Sequence, residues 1–331
     1  MAHIYIDTPG SHIGKKGETI VITRVGDDLV QIPLFEVELV TLVGNVQITT
    51  QALTALTRRG VRIVMLESRG SLACVTTGHC HKHVQLRLGQ YSKYSVESWR
   101  LEFARIITWS KLKNCLELLL KHQRSHRETD LEAVIVALRG EMQGVWSVAS
   151  RQELLGHEGM AARHYYQGFS AMLRNERFKM HGRSRRPPRD PVNSLLSLGY
   201  TLLYNEVHAA LEGIGLDPYL GFMHEVDYGR ASLACDMMEE FRFLVDALVL
   251  SVINRQLLAP EDFEPDEASG GIFMTPAARK KFYAAYDQKM KTEVNHRDQT
   301  MSYRRMFSHH AALLARVIRD EEYVYVPFQM R

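Results

Sequence analysis

The sequence predicts an α+β protein: an amino-terminal mostly-β domain followed by a larger all-α domain. Two contrasts along the chain carry that expectation. From Ile4 to about Val75 the apolar residues fall in short valine- and isoleucine-rich runs, ETIVIT, DLVQIP and RGVRIVML, punctuated by glycines. Beyond Gly89 they recur three and four apart in long stretches such as WRLEFARIITWSKLKNCLELLLKH, the spacing of amphipathic helices.

Taken in order, one helix interrupts the β region. It is expected from Thr50 to Arg59, with Thr49 or Thr50 as its cap and Gly60 closing it. A β domain over residues 1–78, a hinge over 79–90 and a helical domain over 91–331 follow from the change in periodicity. The stretch CVTTGHCHKH, Cys74 to His83, holds two Cys and three His, which raises structural zinc. It contains no C-x-x-C pair, and Cys80 lies directly between His79 and His81, a poor start for tetrahedral geometry; a solvated linker is expected instead. The helical region breaks at Gly156, at RSRRPPRDP, between Gly213 and Pro218, and at PEDFEPDEASGG.

Hydrophobic residues make up 45% of the 331, enough for real cores, and no apolar window is long enough to span a bilayer. The amino terminus lacks the pattern of a secretion signal, so a cytoplasmic protein with no membrane association is expected. Four cysteines, Cys74, Cys80, Cys115 and Cys235, are too few and too irregular for a disulfide framework and are read as thiols. With 41 basic and 38 acidic residues the net charge is only +3, so any affinity for a polyanion has to come from local clustering.

Three segments offer such chemistry. HEGMAARHYYQGF places Glu158 near an expected helix start, where a carboxylate complementing the helix dipole is the simplest account. In LGFMHEVDYGRASLACDMMEEFRF, His224 precedes a turn and Asp236 and Glu239 are spaced to share one face of an apolar helix. Two such carboxylates repel unless a cation relieves them, and with an imidazole they form a mixed oxygen and nitrogen set suited to Mn²⁺ or Mg²⁺; simple helix-start acids are the alternative. The third, RNERFKMHGRSRRPPRDPVNSLLSLGY, crowds seven cations, Arg174, Arg177, Lys179, Arg183, Arg185, Arg186 and Arg189, into one stretch. That is a phosphate-binding patch or a solvated basic loop. The following helix carries Tyr200 and Tyr204 at i, i+4, a stripe that fits an aromatic core as well as a DNA contact.

HEGMAARHYY, RSRRPPRDPVNSLLSLGYTLLY and GLDPYLGFMHEVDYGRASLACDMMEEFR, in that order, resemble the signature of CRISPR-associated protein one, the integrase of spacer acquisition. YIDTPGSHIGKKGETIVI, LVGNVQITTQAL and RGVRIVML resemble that family's β domain, so the likeness covers nearly the whole chain. The hinge departs from the family, which more often has a Gly-rich, arginine-containing stretch there. The resemblance implies an enzyme, a DNA endonuclease and integrase whose divalent ion, Mg²⁺ or Mn²⁺, is held in the helical, catalytic domain. The ligands would fall on Glu158, His224 and Glu239, with Asp236 a further catalytic acid. DNA contacts are expected at Arg183, Arg185, Arg186, Asn193, Tyr165, Tyr204 and Arg242. It also implies double-stranded DNA as substrate, spacer precursor and CRISPR repeat alike, a homodimer paired through the β domains, and a small ferredoxin-like adaptation partner subunit.

The implied reaction is a transesterification in which a DNA 3′-hydroxyl attacks a repeat phosphodiester, with the ion lowering the hydroxyl's pKa and neutralising the phosphorane. No nucleotide cofactor is expected, since neither a GxxxxGK[ST] loop nor a GxGxxG turn is present. Two other readings remain: a metal-dependent nuclease of DNA repair or branched-DNA processing, in which water replaces the hydroxyl, and a non-catalytic DNA-binding scaffold.

Overall fold

A computed structural model describes residues 2–24, 27–67, 72–76, 83–296 and 299–330. The chain divides into two compact units, Met1–Val84 and Gln85–Arg331.

In the first unit the valine- and isoleucine-rich runs become β1 (Ala2–Ile6), β2 (His12–Lys16), β3 (Thr19–Arg24), β4 (Asp27–Pro33), β5 (Val37–Val43), β6 (Gln47–Ile48), β7 (Arg62–Leu66) and β8 (Leu72–Thr76). They form two four-stranded sheets, ordered β1-β5-β7-β8 and β4-β3-β2-β6. Between β6 and β7 lies α1 (Thr50–Arg58), whose N-cap is Thr49: its hydroxyl accepts from Ala52 N at 3.2 Å. Ile4, Ile13, Ile20, Val40, Leu56 and Ile63 belong to one core, so burial on the inner faces holds both sheets and α1 together.

The second unit contains α2 (Val84–Tyr94), α3 (Glu97–Ser125), α4 (Glu132–Gly144), α5 (Arg151–Ala171), α6 (Pro191–Ile214), α7 (Ser232–Met238), α8 (Arg242–Asn254), α9 (Pro276–Lys291) and α10 (Tyr303–Ile318). Two small antiparallel hairpins that helical periodicity does not announce sit among them, β9 (Phe263–Asp266) with β10 (Gly271–Met274) and β11 (Glu293–His296) with β12 (Gln299–Ser302). Two expectations need correction. The hinge was read through residue 90, but helix begins at Val84, and Gln90 is fully buried because its side-chain amide bonds the backbone of Asp217 and Leu220. The part of CVTTGHCHKH over 77–82 lies outside the described residues. The helix carrying Glu158 starts at Arg151, capped by Ser150, and not after Gly156, so Glu158 is in its interior and the dipole account of it fails. Among the described residues no helix is long and apolar enough to cross a membrane.

Candidate active site

Four helices and one loop converge around Lys111. This lysine lies on α3 in line with Phe103, Ile107, Cys115 and Leu118, so the helix's core-facing stripe carries it inward, where its side chain is 10% exposed. Its ammonium bonds the Glu158 carboxylate, brought by the interior of α5, and lies 2.6 Å from Glu239 Oε2. The pairing is strong enough that the lysine's pKa is raised although burial opposes its charge. Glu239 sits in a short 3₁₀ turn between α7 and α8, and Arg242 Nη1, at the start of α8, donates to its Oε1 at 3.0 Å. Burial would raise this carboxyl's pKa; Arg242, Lys111 and His224 together hold it well below the usual range. Glu239 Oε2, though beside the ammonium, makes no aligned hydrogen bond.

His224 is placed from the loop before α7. Asp236, fully buried on α7, accepts from the backbone N–H of Phe222 at 2.6 Å, Met223 at 2.9 Å and His224 at 3.0 Å, and from His224 Nδ1 at 2.7 Å. Carbonyls of the same loop are held from the other side, Phe222 by Arg100 at 3.3 Å and Met223 by Arg151 at 3.2 Å. Gly221 permits this approach, since a Cβ there would meet Ser232 at 2.6 Å and the Asp236 carboxylate at 2.9 Å. Burial opposes a charge on His224, but Asp236 and Glu239 outweigh it and its pKa is raised. With Nδ1 committed to Asp236, Nε2 is the nitrogen left for a ligand, the usual arrangement of a carboxylate behind a metal-binding histidine.

The structure therefore brings Glu158 and Glu239 onto one cation and places His224 within electrostatic reach of Glu239. Asp236 has other partners: its carboxylate accepts four internal bonds, three from the backbone of the His224 loop and one from His224 Nδ1. Among the described residues no three His, Cys, Asp or Glu side chains stand in metal-holding geometry in this conformation. The donor set nonetheless fits a divalent ion: two carboxylates already share one buried positive charge, one oxygen has coordination to spare, and an oriented imidazole is nearby.

The expected DNA contacts divide sharply. Arg185 and Arg186 are exposed, and Arg185 lines a small pocket with Lys111, Glu158, Tyr166 and Arg242. Asn193 is fully buried; its amide accepts from Arg183 and Ser184 N and donates to Gly182 O and Asp190, so it organises the basic loop from beneath. Arg183 turns inward to Asn193 at 2.7 Å and to Ser197. Tyr165, 3% exposed, donates to Asp246 at 2.8 Å; Tyr200 also donates to Asp246, and the guanidinium groups of Arg242 and Arg183 lie over its ring at 4.1 and 5.5 Å. Arg242 is thus committed to Glu239 and Tyr200. Tyr204 is half-buried, with its pKa pushed up to about 12 chiefly by burial. Asn193, Arg183, Tyr165 and Arg242, all expected as DNA contacts, thus make internal bonds that build the site's walls.

Sequence reasoning missed Lys111, Asp246 and Glu240. Each is polar at a core-facing position of an apolar helix or turn, and that misplacement was the available signal. Glu240, fully buried, accepts from Tyr325 Oη and from Phe328 N, both at 2.5 Å, which ties the carboxy-terminal segment to the back of the site. Burial pushes its pKa up to about 8 against those two donors.

Comparison with known proteins gives one family match, CRISPR associated protein Cas1, over residues 4–288. A Cas4 exonuclease/Cas1 endonuclease fusion from Geobacter sulfurreducens is 36% identical over 338 residues, covering 99% of this chain; the chain spans 60% of that longer protein. A CRISPR-associated endonuclease Cas1 from Thermus thermophilus is 35% identical over 333 residues, covering 99% of this chain and 97% of that one. A casposase solved bound to an integration product shares the fold, with a TM-score of 0.88 and 21% identity over all of this chain and 95% of that one.

Proposed function

The chain belongs to the Cas1 family of CRISPR-associated proteins, and from that premise we propose that it is a divalent-metal-dependent DNA integrase and endonuclease that inserts spacer DNA into a CRISPR array. The observation carrying this reading is the convergence of Glu158, from α5, and Glu239, from the turn between α7 and α8, on one buried positive charge. Burying two carboxylates together is costly without a cation, and a site that maintains the pair is suited to a metal. Glu158, Glu239 and His224 Nε2 would hold Mg²⁺ or Mn²⁺. Bound there, the ion would lower the pKa of an attacking 3′-hydroxyl and neutralise charge on the crowded phosphorus.

The chain's own residues do the rest. Asp236 fixes the His224 tautomer by accepting from Nδ1, so Nε2 keeps its lone pair. Lys111 and Arg242 keep Glu239 ionised in a buried site. The Arg183–Tyr200–Arg242 stack stiffens the wall, and Asn193 fixes the loop that presents Arg185 and Arg186 to backbone phosphates. A new bond from the 3′-oxygen to phosphorus replaces an equivalent one, and the displaced 3′-oxygen takes up a proton. No energy-supplying nucleotide is required. By the family resemblance, the working form is a homodimer paired through the β units and bridged by a small ferredoxin-like partner, with double-stranded spacer precursor and repeat DNA as substrates.

The test is strand joining: the chain, its partner subunit, Mn²⁺ or Mg²⁺, a 3′-hydroxyl duplex and a supercoiled plasmid carrying the cognate repeat. Glu158→Ala and His224→Ala should each abolish joining with duplex affinity nearly intact, and the double replacement should be scarcely worse than either. Full joining by either single variant, or joining in excess EDTA, would refute the metal site. Cutting without joining would favour the repair nuclease, and binding alone the scaffold.

A further inference from the structure

Along α3 and α8 a groove of about 740 Å³ is lined by Lys121, His122, His126, Arg174, Arg255 and Lys289, and among the described residues no carboxylate lines it. Its cations gather where α3 and α8 end, roughly 18 Å along α8 from Arg242 at 1.5 Å per residue; its apolar side reaches back to Phe243, but none of Lys111, Glu158, His224 and Glu239 lines it. Its floor is apolar, with Leu118, Phe243, Tyr303 and Phe328.

The cations are held against one another. Burial lowers the Lys289 pKa, and Lys121 lowers it further. His122 is likewise lowered by burial first, then by His126 and Arg174, with Glu128 opposing, and among the described residues its buried Nε2 has no hydrogen-bond partner. Three helices, α3, α8 and α9, end at the groove, and basic residues commonly offset helix carboxy-termini. Each terminus is worth about half a negative charge, or roughly one and a half in all, whereas Lys121, Arg174, Arg255 and Lys289 bring four full positive charges. Glu128 offsets part of this excess at His122, and the repulsion that remains among the cations costs stability unless an anion relieves it.

We propose that this groove is a nucleotide site in which phosphate oxygens engage the cations and the base lies over the aromatic floor. Its volume suits a nucleotide-sized ligand, and a mixed apolar and cationic lining matches the amphipathic character of one. The phosphates come from a single strand of DNA or from a free nucleotide. The inference goes beyond the proposed integration chemistry and needs no metal, so its test is run in EDTA, where failure of the metal site has no influence on the outcome.

The probes are a fluorescein-labelled fifteen-residue oligothymidylate, followed by anisotropy, and deoxyadenosine triphosphate, followed by calorimetry. Lys121→Glu with Arg255→Glu, both exposed side chains, should weaken binding of the accepted probe by about tenfold or more and flatten its salt dependence by about two units, roughly one per lost contact. Arg139→Glu with Lys280→Glu makes the same charge change on exposed residues outside the groove and should leave affinity within about twofold. Loss for the oligonucleotide assigns a DNA strand; loss for the triphosphate alone assigns a free nucleotide. Lys121→Gln with Arg255→Gln should keep or raise Tm without ligand, since repulsion is relieved. Equal loss in both reversal pairs, no loss in either, or a lower Tm in the glutamine pair overturns the proposal.

Discussion

Lys111 shows how one residue can define a site. Its ammonium separates Glu158 from Glu239, so Lys111→Ala leaves two carboxylates facing each other in a buried place and should destabilise the chain by about 3–5 kcal/mol. Millimolar Mn²⁺ should recover part of that loss by supplying the missing charge, read as a Tm rise larger than in the parent chain. An equal Mn²⁺ response in the two proteins would count against the shared-cation account. Glu240, one residue beyond Glu239, behaves in the opposite sense. Its folded pKa of about 8 lies above the ordinary carboxyl value near 4.3, so its stabilising contribution is fully present below the lower value and is lost as pH climbs toward the higher. Glu240→Gln can still accept from Phe328 N and donate to the Tyr325 oxygen, which then turns its proton to His310 Nδ1, 2.8 Å away. That variant should lose less Tm than the parent between pH 5 and about 8.5. Parallel pH profiles would sink the assignment.

At the scale of elements, the site depends on how closely α6 packs against α8. Gly199 on α6 makes that approach possible: a Cβ would meet Val245 Cγ1 on α8 at 2.5 Å and Phe282 on α9 at 3.4 Å. Gly199→Ala gains up to about 1 kcal/mol of helix propensity but forces the helices apart, which costs about 1–3 kcal/mol. The urea midpoint should therefore fall, and joining activity should fall further than stability, because Tyr200 on α6 stacks on Arg242 of α8. A midpoint equal to or above the parent's would show that Val245 yields without strain. The 3₁₀ turn Glu239–Phe241 follows α7 directly, and the two acids three residues apart both act on His224 while bonding different partners, one the His224 loop and the other Lys111 and Arg242.

Across the whole molecule, a net charge of +3 leaves DNA affinity to local patches, and the structure sorts the arginines of the basic loop by exposure. Arg185→Ala should weaken duplex binding alike across sequences and reduce the salt slope by about one, whereas Arg183→Ala should mainly loosen the loop and lower Tm. A base-dependent effect with an unchanged salt slope at Arg185, or a purely electrostatic effect at Arg183, would reverse this division. The sequence by itself determined the α+β class, the capped helix at Thr50, and the three segments from which the site is drawn, because periodicity, caps and motif order are written locally along the chain. Only the tertiary structure decided that Lys111 joins Glu158 to Glu239, that Asp236 serves His224, and that Asn193, Arg183, Tyr165 and Arg242 face inward. Those outcomes depend on which helix faces meet in space. Spacing along a chain cannot distinguish a charged residue facing solvent from one buried against a partner many residues away.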